Sequence, residues 1–412
     1  MTRALVGRAR RLVREIRNRF TPRRFPALYD VNGVGNGPSI GRALMIYLAK
    51  PFLTPPESAW FNGHQNRRHN IIIAHLLGEF GYIVDVVDAA DVRRHKFETK
   101  RKYDVIVSVR HEADFFGSPS TRGALRIFFA TTIDHTVHNR NLRRRHEMLR
   151  RRRGSEIWMR RSYSEKMPFV AAADAIIGVG TPAILDTWSA TSKAPKYAVN
   201  NNYHSGTSFS FEAKDFAAAR KNFFFLASGS QVQKGLDLLL EIFPRHPELS
   251  LYVCSGFSSE EDFCALYRKE LFQTPNIHPI GWIRINSPEL CELVEKCACI
   301  VYPTCSEGQS GSVVQCMYAG LIPLVTPEAG VDVEGFGITF AEDSLEEIER
   351  VILQIASLPE TWHRERSRKT HAVAAERHSE AAFVAGWREF FGEVLPRTRT
   401  ASPEGRRSKV MW

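Results

Sequence analysis

Short apolar runs recur along this chain, each separated from the next by polar segments or by apolar positions at helical spacing. In the first half the runs are 42–49, 82–87, 103–109, 125–130, 175–179 and 196–200, with an amphipathic helix predicted over 67–80. The second half repeats the design with runs at 222–227, 250–255, 277–280, 299–302 and 322–325. Helices are predicted there over 235–243, 260–271, 288–297 and 312–318, followed by 345–356 and 371–394. Strands that alternate with helices imply a parallel, doubly wound sheet, and two separate series imply two such sheets.

The expected fold class is therefore α/β, with two facing Rossmann-like domains joined near a polar linker at 201–207. Residues 21–205 form the first domain and 206–375 the second. Residues 376–396 are a terminal helix that is a candidate to cross back to the first domain, and 397–412 a polar tail expected to be disordered. Ligands of doubly wound sheets bind beyond the carboxyl ends of the strands. The segments holding His64, His111, Glu112, Asp114, Asp134, His135 and His138 follow strands and so face a cleft. Gly33, Gly35 and Gly37 imitate a dinucleotide fingerprint, but they precede a strand instead of following one and read as a flexible lead-in.

Composition changes this picture in one respect. The formal charge of +11 is unevenly divided: residues 1–205 hold 35 Lys+Arg against 17 Asp+Glu, or +18, and residues 206–412 hold 21 against 28, or −7. Such a split points to an anionic partner for the first half: a membrane surface, a phosphorylated or lipid-linked acceptor, or nucleic acid. Nucleic acid is the least favoured, because no aromatic-interleaved basic motif or zinc finger accompanies the charge. Residues 1–20 place Leu5, Ala9, Leu12, Ile16 and Phe20 on one face of a basic amphipathic helix, which reads either as a helix docked on its own domain or a disordered basic leader, or as an interfacial contact with anionic lipid. A dense arginine cluster, Arg143 to Arg145 and Arg150 to Arg153 with Arg160 and Arg161, reads either as a solvated helix face or as a site for a phosphate-bearing acceptor or lipid headgroups. No run is long enough to span a bilayer and no secretion signal is recognisable, so a cytoplasmic location, peripheral to the membrane at most, is expected. All seven cysteines lie in the second half without a CxxC pair and read as reduced thiols.

The most specific chemistry lies between Ser306 and Gly330. A carboxylate, Glu307, opens a turn of small residues that leads from a buried strand into a short apolar helix. Free amides of the first helical turn favour phosphate. A carboxylate beside phosphate is misplaced unless it accepts hydrogen bonds from hydroxyls, and a ligand carrying both groups is a nucleotide sugar.

The motif Ser306-Glu307-Gly308-Gln309-Ser310-Gly311-Ser312-Val313-Val314-Gln315 resembles the two-glutamate signature of the B-fold retaining glycosyltransferases of family four, the glycosyl transferases group 1. The continuation Met317 to Val325 resembles that family's helix, Gly cap and strand, and Lys234-Gly235 resembles its lysine-glycine element. The resemblance is dense in the second half and architectural in the first. It implies a metal-independent, retaining transfer of a sugar from a nucleotide sugar to a glycan or lipid-linked acceptor, with no cofactor beyond the donor substrate. Lys234 would contact the donor pyrophosphate, Glu307 the sugar hydroxyls, and Gly308, Gly311, Ser312 and Val313 would offer backbone amides. His135, with His138 and Asp134 as competitors, would stand near the anomeric carbon. Two departures keep an inactive nucleotide-sugar-binding relative as the alternative. Gln315 replaces the second glutamate, expected at a ribose hydroxyl. Ser228-Gly229-Ser230-Gln231 stands where the family often has an arginine for the pyrophosphate.

Overall fold

The computed structural model describes residues 25–32, 39–91, 101–111, 118–206 and 214–395. The readings for residues 1–20, Gly33 to Gly37, Glu112, Asp114 and 397–412 lie outside these residues.

The apolar runs become strands buried on both faces, as a parallel sheet covered by helices requires. Sheet one contains β1 (Gly41–Tyr47), β2 (Tyr82–Asp88), β3 (Val105–Ser108), β4 (Leu125–Ala130), β5 (Ala175–Val179) and β6 (Lys196–Val199), in the order β2-β1-β3-β4-β5-β6. Sheet two contains β7 (Asn222–Leu226), β8 (Ser250–Cys254), β9 (Ile277–Pro279), β10 (Cys299–Tyr302), β11 (Ile322–Val325) and β12 (Ile338–Thr339), in the order β12-β11-β10-β7-β8-β9. Every pairing within these sheets is parallel. Strand order reverses beside β1 in the first sheet and between β10 and β7 in the second, and these switch points open a crevice at the strands' carboxyl ends.

The helices that shape the crevice are α1 (Asn66–Glu79), α2 (His135–Arg153), α3 (Gln231–Lys234), α4 (Leu236–Ile242), α5 (Gly311–Tyr318) and α6 (Glu380–Val394). The helix expected over 235–243 is present as α4, and a further short helix, α3, precedes it, the two being separated at Gly235, whose φ is 83°. A side chain there would also collide with the backbone carbonyl of Pro303, because an added Cβ would stand 2.4 Å from its oxygen. The expected helix over 371–394 is likewise two, Glu360–Arg377 and α6, with Ser379 capping the second through the amide of Ala382.

Two segments cross between the domains. Helix α6 returns to the first sheet and buries Phe383, Trp387, Phe390 and Phe391 against Tyr47, Phe129, Ile177 and Val199. Its apolar spacing is that of a helix face packed on a sheet. In the other direction, α2 leaves β4 and lies on the second domain, with Leu149 in that domain's core. Its buried positions, His135, His138, Asn139, Leu142, Arg145 and Leu149, follow helical spacing, but most of them are polar. A search for apolar periodicity therefore missed this helix.

The arginine cluster is explained by the same crossing. Arg144 and Arg145 grip Asp343 at 2.7 and 2.9 Å, and the wholly buried Arg145 also donates to the carbonyl of Pro303 at 2.9 Å. Arg152 pairs with Asp237 at 2.6 Å and Glu241 at 3.1 Å, Arg153 with Glu270 at 2.8 Å, and Arg160 with Asp262 at 2.5 Å. Arg150 and Arg151 share Glu147, and Arg143 lies 3.5 Å from Glu165. Of the arginines read as a site for lipid headgroups or a phosphorylated acceptor, Arg144, Arg145, Arg152 and Arg153 are thus engaged with the second domain, whereas Arg143, Arg150 and Arg151 stay exposed. Five arginines of the first half, Arg144, Arg145, Arg152, Arg153 and Arg160, pair with carboxylates of the second.

Candidate functional site

A cleft of about 530 Å³ lies between the carboxyl ends of the two sheets. Tyr47 at the end of β1, Thr131 and Thr132 after β4, and Val179 of β5 line it from the first domain. Leu226 and Ala227 at the end of β7, and Tyr302 at the end of β10, line it from the second. Both switch points thus open into one space.

Lys234 and Glu307 meet on the second-domain wall of this cleft. Lys234 closes α3, and its ammonium pairs with Oε1 of Glu307, which also accepts from the Tyr302 hydroxyl at 3.0 Å. Lys234 is almost fully buried. Burial lowers its pKa, while the Glu307 carboxylate opposes the shift. The pair is a buried cation and anion at the edge of open volume, where a ligand bearing phosphate and hydroxyls can exchange partners with both.

Helix α5 points its first residues at the same space. Gly311 and Ser312 line the cleft, and Ser310 caps the helix by accepting from the amide of Val313 at 3.4 Å. Gln65 of the first domain reaches over and donates to the Gly311 carbonyl at 3.3 Å. Val313 and Gly308 are not among the lining residues. Gly308 instead sits where the domains touch: a Cβ added to it would lie 2.7 Å from the Thr131 carbonyl oxygen. Gln309 ties the linker to this motif, accepting from the Asn201 amide at 2.6 Å and donating to the side-chain oxygen of Asn200 at 3.0 Å.

Gln315 points away from the cleft. Its side-chain oxygen accepts from the His204 amide at 2.8 Å, and its nitrogen donates to the His204 carbonyl at 3.2 Å. This two-way clamp needs an amide, since a carboxylate has no N–H to offer. The departure from the two-glutamate signature is accounted for by linker packing.

The histidines divide in the same way. His135 lies behind the cleft, stacked on Tyr163 with ring centroids 4.5 Å apart, edge-on to His111 and Trp188, and 3.3 Å from the Ser164 carbonyl. His138 braces the motif: its Nδ1 lies 2.7 Å from Ser306 Oγ, and its Nε2 lies 2.7 Å from the Arg161 carbonyl. Asp134 caps α2 through the amides of Thr136 and Val137. Among the described residues, His64, His69 and His204 are the histidines on the cleft wall. The His64 ring faces the solvent of the cleft, yet the enclosing walls and the guanidiniums of Arg67 and Arg161 push its pKa down to about 4.

Tyr163, Tyr302, Gln65 and Trp282 also line the cleft and carried no site prediction, and Arg161 lines it too, read from the sequence only as a member of the arginine cluster. Tyr302 ended a predicted strand and Gln65 sat in a polar loop after one, which was a usable signal. Arg161 was concealed by the arginines before it, and Trp282 follows β9 on a loop with no distinguishing spacing.

Residues 220–357 match the family model described as Glycosyl transferases group 1. No curated protein matches the chain. Among solved structures, sucrose-phosphate synthase from Thermosynechococcus elongatus is similar at 12% identity and a TM-score of 0.59, covering 85% of this chain and 98% of that one. WaaG, a glycosyltransferase involved in lipopolysaccharide biosynthesis, is similar at 14% and 0.55, covering 85% and 99%. HepE of Anabaena in complex with UDP-glucose is similar at 12% and 0.54, covering 85% and 99%. Against TarM of S. aureus the match covers 70% of this chain and 55% of that one, so the chain spans about half the length of TarM. At these identities the structural likeness is one of fold, two facing Rossmann-like domains. The family match falls on the domain that carries the Ser306 to Gln315 motif.

Proposed function

We propose that this chain, which carries a glycosyl transferases group 1 domain in residues 220–357, is a glycosyltransferase that moves a sugar from a nucleotide sugar to a glycan or lipid-linked acceptor. The observation that supports it best is the Lys234–Glu307 pair beside the first turn of α5, inside a cleft shared by both domains. In this reading the ammonium turns to the diphosphate as negative charge grows on it, and the carboxylate is released to accept from the sugar's hydroxyls. The Gly311 and Ser312 segment lies against the phosphates. The acceptor lies on the first-domain side, near His64, Gln65 and Tyr163. HepE, which binds UDP-glucose and has the same fold, is consistent with a nucleotide-sugar donor.

We assign the reaction retention of configuration without a metal. The bond from the anomeric carbon to the diphosphate breaks with its electrons leaving on phosphate. The acceptor oxygen bonds to the same face, and its proton passes to the departing diphosphate. The location proposed is the cytoplasm, with residues 1–20 as the contact to an anionic membrane; no helix among the described residues is long and apolar enough to cross one.

The test is turnover against a panel of nucleotide sugars, with and without chelator, followed by NMR assignment of the product's anomeric configuration. Lys234→Ala should reduce turnover by about 100-fold, the scale of losing one electrostatic stabiliser of a developing anion. Wild-type protein that neither transfers nor hydrolyses any donor would leave the inactive relative as the better account.

A further inference from the structure

A nucleoside diphosphate brings more negative charge than Lys234 alone can offset, and residues 228–231 lack the arginine that the family resemblance leads one to expect before it. We propose that Arg161, contributed by the first half of the chain, is the diphosphate-binding arginine of this donor site. The inference rests on the nucleotide-sugar reading of the cleft.

Three observations carry it. Arg161 lines the same cleft as Ser228 and Lys234, and its Nη2 lies 3.4 Å from Ser228 Oγ, the residue that opens the segment lacking the arginine. Its guanidinium therefore occupies the space that a side chain rooted in 228–231 would have entered from the other side. Secondly, its side chain is uncommitted. Neighbouring Arg160 is held by Asp262 and Glu260, whereas Arg161 has only the Ser228 hydroxyl as side-chain partner among the described residues. Arg143 to Arg145, Arg150 to Arg153 and Arg160 pair with carboxylates, and Arg140 is exposed to solvent, so Arg161 is, among the described residues, the arginine of this crossing that brings an unpaired guanidinium to the cleft.

Thirdly, its backbone is fixed in place. Arg161 has φ 60°, in the left-handed region, and its carbonyl accepts from or faces His138 Nε2 at 2.7 Å. The preceding residues are tied down where the Trp158 amide donates to Asp262 at 2.8 Å. Ser230, across the cleft wall, also has positive φ, at 63°, and its amide donates to Glu260, the same carboxylate that lies 3.4 Å from Arg160. One carboxylate thus fixes the spacing between the arginine's platform and the loop it faces. A planar guanidinium held at that spacing can grip two phosphate oxygens at once, which a lone ammonium cannot. The Arg161 charge already acts on this wall, helping to lower the pKa of both Lys234 and His64.

The experiment is calorimetric titration of the full chain with UDP, GDP and ADP, alongside the matching nucleosides. Arg161→Ala should weaken the best diphosphate at least tenfold, leave nucleoside binding unchanged and leave the melting temperature unchanged. Ser228→Arg placed in the Arg161→Ala background should restore diphosphate affinity, because it returns the cation from the position expected in the family. Wild-type diphosphate affinity in Arg161→Ala, with affinity lost in Lys234→Ala, would overturn the role of Arg161 and leave the donor site standing. A wild-type chain that binds none of the three diphosphates would overturn the donor site itself.

Discussion

The two segments that cross between the domains are built on opposite chemistry. Helix α6 reaches the first domain with four aromatic side chains and packs them into an apolar sheet face. Helix α2 and the residues after it reach the second domain with arginines and meet Asp343, Asp237, Glu241, Glu270 and Asp262. The apolar crossing gains from removing hydrocarbon from water and tolerates imprecise placement. The ionic crossing must offset the cost of dehydrating its charges and does so only where each guanidinium meets its carboxylate squarely. The first fastens; the second also sets position, and it is the one that delivers Arg161 and the His138 brace to the cleft.

The comparison breaks most visibly at Trp387, which is fully buried among Phe129, Phe383, Phe390 and Phe391. Trp387→Ala should cost about 3–5 kcal/mol in chemical denaturation, the usual loss for a buried large aromatic. A loss below about 1 kcal/mol would mean that α6 is not a structural part of the first domain. On the ionic side, Arg145→Met removes one partner of a buried pair and should cost about 3 kcal/mol, the low end for such a break because Arg144 still holds Asp343. The same variant should weaken donor binding, whereas Trp387→Ala should affect stability first.

Gln315→Glu tests the linker between the two crossings. It deletes the donor to the His204 carbonyl and sets a carboxylate against it, for a loss of about 1–3 kcal/mol. Unchanged stability with raised turnover would instead mark position 315 as a donor contact.

Acid should separate the crossings further. Burial pushes His135 down to about 3 and His138 and His146 down to about 4, all on α2, while His69, stacked on Phe383 of α6, is pushed down to about 3. Each is neutral in the fold and takes up a proton more readily when unfolded. Its contribution is therefore present above the usual histidine pKa of about 6.5 and is lost as pH falls towards 4 and 3. Three such histidines lie among arginines on α2 and one lies against α6. Hydrogen exchange between pH 7 and 5 should show residues 135–153 losing protection before 380–394. The smallest effect belongs to Arg151→Ala: its pairing with Glu147 is exposed and lies within one helix, so chemical denaturation should show no measurable change in stability.

Much of the fold was legible because a parallel sheet writes itself as apolar runs, and β1 to β11 fall close to where those runs predicted them. β12 was not seen, since two residues carry no period. The Lys234 and Glu307 pair was legible as two motifs and became one site only when the fold brought them together. Helix α2 was the principal omission. Its inward face is His, Asn and Arg, and a buried arginine cannot be told from a solvated one until its carboxylate is located, here some two hundred residues away at Asp343. Gln315 was read as a weakened ligand contact, while its side chain bonds the backbone of His204, and a backbone partner leaves no mark in side-chain identity.

The return of α6 has a consequence for how the protein is made. The first domain's strands emerge from the ribosome early, but the aromatic cover of one sheet face is encoded by residues 380–394 and is translated after the whole second domain. Until then Phe129, Ile177 and Val199 present an uncovered apolar surface on a tethered nascent chain. The first domain begins folding first and finishes last, and during that interval it is a client for any chaperone that binds exposed sheet.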